Sequence, residues 1–243
     1  LKGPQGVLFG KNTVAGAMIV NSARPTADFE GEVRALYEAE YGSQEYTAIV
    51  SGPLGERVSG RLAGKLQKFN GYMDNLVRGT EEPEVENTAI RGSLSWDPTD
   101  SISVYTKLEY AEQETIGNNT QLTSIAGNFR GLINHADVIT PIETAQFDDK
   151  NTLNSWNEEG TQTESLNGLV QIDWELDNLT LTSLTGYSDY QADFVLDGDS
   201  SDYLFIEQGQ YEDFEQISQE FRLTSRAGGP IDYILGVYLE SQE

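Results

Sequence analysis

The chain contains no cysteine, a single histidine, and only 15 lysines and arginines against 40 acidic residues. Without cysteine there is no disulfide framework, no thiolate metal site and no cysteine nucleophile. The formal net charge of −25 argues against nucleic acid, which needs a basic footprint, and against peripheral binding to anionic lipid. No run approaches the ~20 apolar residues of a membrane helix. Barrel strands, which alternate, are not excluded by that. No basic start followed by an apolar segment marks a signal peptide. The sequence begins at Leu1 and stops at Glu243 inside a strand-like run, so we expect a fragment.

Hydrolase chemistry also lacks a constellation. No G-x-S-x-G elbow exists to strain a serine into a nucleophile. His135 stands alone beside Asp137, and the pairs Asp148-Asp149 and Glu158-Glu159 read as solvated loop charge. The run Asp197-Gly198-Asp199-Ser200-Ser201-Asp202 opens like an EF-hand loop. It lacks the turn glycine where Asp202 stands, and Gln208 replaces the bidentate glutamate. An adventitious divalent cation on an acidic loop is the most this run supports. No cofactor is implied.

What is present points to all-β structure: 24 glycines, 10% aromatics, and plentiful threonine, serine and asparagine. Ile90, Gly92, Leu94 and Trp96 alternate with Arg91, Ser93 and Ser95. Ile102, Val104, Thr106, Leu108 and Tyr110 alternate with Ser103, Tyr105, Lys107 and Glu109. Leu166 to Trp174 repeats the scheme. Period two over such lengths is a strand signal, and about nine strands are expected. Phe29 to Tyr41 also alternates, although Phe29, Val33, Tyr37 and Tyr41 would fit one helical face.

Connection lengths suggest a topology. Short turns fall at 52–56, 97–100, 175–178 and 227–230, and longer gaps at 71–87, 112–164 and 196–212; only 41–43 is tight where a long one is expected. Outer-membrane barrels pair short periplasmic turns with long extracellular loops, whereas soluble sandwiches have more even ones. Several strands sustain ten or more residues, as a tilted membrane-spanning strand must. Tyr37, Tyr41, Tyr46, Trp96, Tyr110, Trp174 and Tyr187 are expected on the lipid side, as an aromatic girdle.

The first twenty residues, LKGPQGVLFGKNTVAGAMIV, carry the most specific signal. Gly3-Pro4 is a turn dipeptide, and Gly10 suits a left-handed cap after one short helical turn. Ala15-Gly16-Ala17 suits close passage of a strand. A phosphate loop fails, because Gln5 stands where a glycine is needed and Asn12 where Ser or Thr is needed. Lys2-Gly3-Pro4, Gly6, Leu8-Phe9-Gly10, Asn12 and Gly16 resemble the end of the plug domain of TonB-dependent outer-membrane receptors of the siderophore type. Leu181 to Tyr187 (LTSLTGY), Phe214 to Ser225 (FEQISQEFRLTS) and Asp232 to Tyr238 (DYILGVY) are similar to successive barrel strands of that family.

The resemblance implies an all-β fold, a partial transmembrane antiparallel barrel preceded by the plug's C-terminal end. Residues 1–23 would be that end, 24–27 a linker, and 28–243 the first part of the barrel. It implies uptake of a scarce nutrient across the outer membrane of a Gram-negative bacterium, with ferric siderophores the usual cargo. The partners would be outer-membrane lipid, that cargo, and a TonB energy-transducing complex engaged through a more N-terminal segment. Glu30, Glu32, Arg34, Arg61, Lys65, Arg91, Lys107 and Arg222 would face the plug or a wet lumen. Tyr72, Arg130, His135 and Trp156 are candidate substrate contacts. The longest loop carries nine carboxylates between 112 and 164, which disfavours strongly anionic cargo. A non-transporting surface β-protein, adhesin-like or a barrel enzyme, is the alternative.

Overall fold

In the computed structural model the described residues are 20–75, 77–120, 151–152, 159–198, 206–226 and 231–243. Nine strands form one antiparallel sheet: β1 (Glu30–Glu38), β2 (Ser43–Gly55), β3 (Val58–Phe69), β6 (Glu84–Thr99), β7 (Ile102–Ile116), β9 (Gly160–Glu175), β10 (Leu179–Asp197), β11 (Glu207–Ser225) and β12 (Ile234–Gln242). Among these, each strand pairs with the one before it, giving the order β1-β2-β3-β6-β7-β9-β10-β11-β12. A second, small sheet is made by β4 (Met73–Asn75), β5 (Thr80–Glu82) and β8 (Asn151–Thr152). The expectation of an all-β architecture with about nine strands holds.

The first strand is extended, not helical, but it stops at Glu38 instead of reaching Tyr41. The Glu38 carboxylate accepts hydrogen bonds from the N–H groups of Glu40 (2.9 Å) and Tyr41 (3.0 Å). Gly42, at φ 64°, then completes the turn in a conformation that favours glycine. The other strands run further than the alternation alone suggested. β10 and β11 reach 19 residues each, so the long gaps are shorter than expected. At Pro53 and Pro98 the strands continue through bulges, between Pro53 and Gly55 and between Trp96 and Thr99. Bulges are where a residue without an N–H is tolerated in a ladder.

Register sorts the side chains into two faces. One line runs through directly paired residues Val50, Leu62, Gly92, Leu108, Gly168 and Tyr187. Its parity also carries Val33, Tyr37, Tyr46, Leu66, Ile90, Leu94, Trp96, Tyr110, Trp174, Phe221 and Val237. Most of these large apolar groups are exposed, Leu108 by 58% and Val237 by 59%. A continuous apolar face of this size has no place in water and suits lipid. Six of the seven aromatic residues expected on the lipid side share it; Tyr41 sits in the β1–β2 turn instead.

The opposite face carries Glu30, Glu32, Arg34, Arg61, Lys65, Arg91, Lys107 and Arg222, all eight on one side as expected. Ion pairs cross between strands there: Lys65 to Glu45 (3.0 Å) and Arg91 to Glu109 link neighbouring strands, and Arg61 reaches over β2 to Glu30 (4.0 Å). Thr182 Oγ1 and Gln171 Nε2 both donate to the Asp173 carboxylate at 2.6 Å. Among the described residues, β1 and β12 have no partner on their outer sides. Nine strands do not close a wide plugged barrel, which takes ~22. In water these two edges and the apolar face would drive aggregation.

Candidate functional site

Because every pairing in the nine-stranded sheet is antiparallel, its connections alternate between the two ends of the sheet. One end carries 39–42, 70–83, 117–159 and 198–206; the other carries 56–57, 100–101, 176–178 and 226–233. The three longest connections, together with the tight turn at 39–42, thus share a single rim. Two regions concentrate polar and aromatic chemistry: this rim, and the ionic face below it.

At the rim, Tyr41, Phe69 and Tyr72 pack with ring centroids 6.2 to 6.4 Å apart, two of the pairs edge to face. That spacing is favourable for aromatic pairs. Tyr72 is held by its own N–H, which donates to the Glu82 carbonyl at 3.1 Å. It keeps 37% exposure, so the cluster presents an accessible ring edge. Next to it, Asn75 builds a compact turn: its Oδ1 accepts from the N–H groups of Val77 and Arg78, both at 3.0 Å. Asn75 Nδ2 donates to Glu82 Oε1 at 2.8 Å. Further along the rim, Pro83, Gly117, Asn118, Gly160, Phe194 and Leu196 line a pocket of about 280 Å³.

Glu159 corrects a sequence expectation. Instead of solvated loop charge it is 2% exposed. Its Oε2 accepts from Asn118 Nδ2 (2.6 Å) and from the Asp197 N–H (3.0 Å). The reason is positional: Glu159 directly precedes β9, and its carbonyl accepts from the Gly117 N–H at 2.7 Å, which pins it against the end of β7. Asp148, Asp149 and Glu158 lie outside the described residues, as do Asp199 to Asp202.

On the ionic face, the chain entering β1 lies across the sheet. The Arg24 guanidinium sits 4.5 Å from the centroid of the Tyr105 ring and donates to Gln171 Oε1 at 3.1 Å. Thr26 bonds the Ser51 hydroxyl through both its N–H (2.9 Å) and its Oγ1 (2.8 Å). Tyr105 is 8% exposed and Ser51 1%; both lie under this segment. Such a cation–π contact contributes ~0.5–2 kcal/mol. Arg24→Ala is therefore expected to leave the nine-stranded sheet intact while residues 20–29 become more accessible. Proteinase K cleavage mapped by mass spectrometry checks this, and unchanged cleavage would show that Arg24 does not hold the segment.

Of the candidate substrate contacts, the structure places Tyr72 on the rim. Arg130, His135 and Trp156 lie outside the described residues, and so do Lys2, Gly3, Pro4, Gly6, Gly10, Asn12 and Gly16. Sequence reading missed the Arg24–Tyr105 contact and the burial of Glu82, Glu159 and Asp197; nothing local in the sequence marks either. A hollow of about 750 Å³ opens instead on the apolar face between Val50, Leu54, Leu62, Leu94, Leu108 and Tyr187. It follows the line of Gly60, Gly92 and Gly168 and lacks the convergent polar groups of a small-molecule site.

No family model matches the chain. Over 102 residues, 41% of the chain, it is 32% identical to the ferrioxamine B receptor of Salmonella typhimurium, in strains SL1344 and LT2. The match spans 13% of those relatives' length. In fold it is similar to the ferric yersiniabactin uptake receptor FyuA from Yersinia pestis, with a TM-score of 0.77 and 14% identity. That likeness covers 99% of the chain and 35% of the receptor. The open form of the ferric-catecholate import receptor Fiu from E. coli K12 gives a TM-score of 0.72 at 15% identity, covering 99% of the chain and 38% of the receptor. The chain is thus similar in sequence, over two-fifths of its length, to a siderophore receptor, and in fold, over almost all of its length, to about a third of such receptors.

Proposed function

We propose that this chain forms the first part of the barrel of an outer-membrane receptor that takes up a ferric siderophore or similar iron complex. The observation that carries the reading is the division of one long-stranded sheet into an apolar face and an ionic face, with the entering segment laid across the ionic one. A membrane barrel filled from its N-terminal side requires that arrangement. In this reading residues 1–23 end the plug, 24–27 link it to the wall, and the cargo meets the rim that bears the long connections. Tyr72, Arg130, His135 and Trp156 contact it there. A TonB complex, engaged through a more N-terminal segment, drives the plug to rearrange and admit the cargo to the periplasm.

The acidic rim favours a neutral or cationic iron complex over a polyanionic chelate. The names of the relatives support an iron complex as the class of cargo. The full-length receptor, expressed in a siderophore-deficient Gram-negative host, tests both points. Iron-limited growth and labelled iron uptake would be compared for cationic ferrioxamine B and anionic ferric enterobactin, with and without a functional TonB complex. TonB-dependent uptake of either confirms the class. Uptake that persists without TonB, or none from any siderophore tried, overturns it. Tyr72→Ala is expected to weaken binding of the transported complex by roughly tenfold, the effect of about 1.4 kcal/mol of aromatic contact. Titration of the purified receptor measures this, and unaltered affinity removes Tyr72 from the contact set.

A further inference from the structure

Among the described residues of the nine-stranded sheet, burial is confined to two places. Asp197 is buried at the rim end of β10. The others, Ser51, Gly52, Ser93 and Tyr105, lie toward the opposite end and follow the chain that enters β1. Thr26 bonds Ser51 on β2 through both its N–H and its hydroxyl. The same hydroxyl bonds the Asp28 carbonyl at 2.8 Å, which closes the turn into β1. Phe29 rests on Gly52, where a Cβ would stand 3.1 Å from the Phe29 Cα. Arg24 covers Tyr105 on β7 and donates to Gln171 on β9. Gln171 is itself fixed, because its Nε2 donates to the Asp173 carboxylate that Thr182 of β10 also bonds. Ser93, on β6, stands between the two contacts in register.

Pro25 joins these two anchors. Its ring fixes its own φ and biases Arg24 toward extended backbone. A shift of one anchor is therefore passed to the other instead of being absorbed between them. A slack linker would leave the wall beneath it wet, whereas Ser51 and Tyr105 are both buried here.

We propose that Arg24-Pro25-Thr26 is a stationary clamp, so that movement of the preceding chain stops short of Arg24 and its pull is borne by β2, β7 and β9. The clamp rests on the receptor reading in one respect, that the preceding chain is the plug. Thr26 and Arg24 grip strands that are not neighbours, since β3 and β6 lie between β2 and β7. A pull on a single strand edge opens one rung at a time. A pull shared among three strands has to break several contacts together.

Drawing the full-length protein out of a lipid bilayer by its N-terminus, with a force microscope, tests the clamp. In wild type the last barrier before β1 is expected at Arg24. In Arg24→Ala/Thr26→Val that barrier is expected to vanish and the chain to run on to Glu30, where β1 begins. The stop then moves by six residues, about 20 Å of extended chain. Thr26→Ser keeps the hydroxyl and is expected to keep the wild-type stop. A wild-type chain that runs on to Glu30, or a double variant that still stops at Arg24, overturns the proposal.

Thr26→Cys/Ser51→Cys reads whether the clamp stays shut during transport, because the chain has no native cysteine and the two hydroxyls already meet at 2.8 Å. TonB-dependent uptake of labelled ferrioxamine B or ferric enterobactin, whichever wild type transports, is expected to be equal for the bridged and the reduced protein. Uptake lost on bridging and regained on reduction would show that the segment must leave the wall, which also overturns the proposal. If wild type takes up neither complex the receptor reading fails, and the pulling experiment still decides the clamp.

Discussion

Leu108→Arg is expected to prevent most of the full-length protein from reaching a folded state in the membrane. Leu108 lies within the apolar band of β7, paired with Gly92 on one side and Gly168 on the other. Its side chain is already 58% exposed, and its glycine neighbours offer nothing to shelter a guanidinium. On a soluble protein such a substitution changes stability by no more than ~0.5 kcal/mol, because an exposed arginine is well hydrated. Facing lipid, the same arginine costs ~2–4 kcal/mol near the bilayer midplane. The two environments therefore predict different outcomes for one variant. The midpoint of urea-dependent folding into lipid vesicles and the fraction of heat-modifiable band in outer-membrane preparations both read it. Lys107→Gln, one residue away on the ionic face, makes the control. Lys107 has no ion pair among the described residues and should change little. Equal tolerance of both variants would mean that the apolar face does not meet lipid, and the membrane reading would fall with it.

Gly160→Val should damage the rim, whereas Gly92→Ala should be tolerated. A Cβ on Gly160 would collide with the Thr115 carbonyl oxygen, which belongs to the backbone of β7 and cannot swing aside. Gly160 pairs with Ile116 at the last rung of the β7–β9 ladder, next to the buried Glu159. The variant must either part the two strands or displace that carboxylate, and overpacking of this kind costs ~1–3 kcal/mol or more. A Cβ on Gly92 meets nothing within 4 Å, because Gly92 lies in the open dip of the apolar face. Thermal unfolding of the two purified variants separates the cases. Similar midpoints would contradict the close approach of β7 and β9 at the rim.

The division into apolar and ionic faces was legible in the residues themselves. Alternation is a local property: successive strand side chains point to opposite sides, so Leu108 and Lys107 are assigned by parity before any partner is known. The contrast of short and long connections was legible for the same reason, since turn residues announce themselves locally. Strand ends were less so. The stretches 52–56 and 97–100 read as turns, yet the ladders run on past Pro53 and Pro98 through bulges because neighbouring strands continue to supply partners. Tyr72 could be placed in a long connection, but not against Tyr41 and Phe69.

Contacts between residues far apart in the chain were decided only by the tertiary structure. Arg24 meets Gln171 and Tyr105 because the entering segment crosses the ionic face, and no spacing within residues 20–29 encodes that. Glu159 looked like surface charge because a glutamate beside another glutamate in a polar stretch usually is. Its burial follows from the ends of β7 and β10 closing over it, with Asn118 and the Asp197 N–H as partners 41 and 38 residues distant. Periodicity determines which way a side chain points, but the energy of a buried charge is set by whichever groups the fold brings round it, and those are known only once the strands are paired.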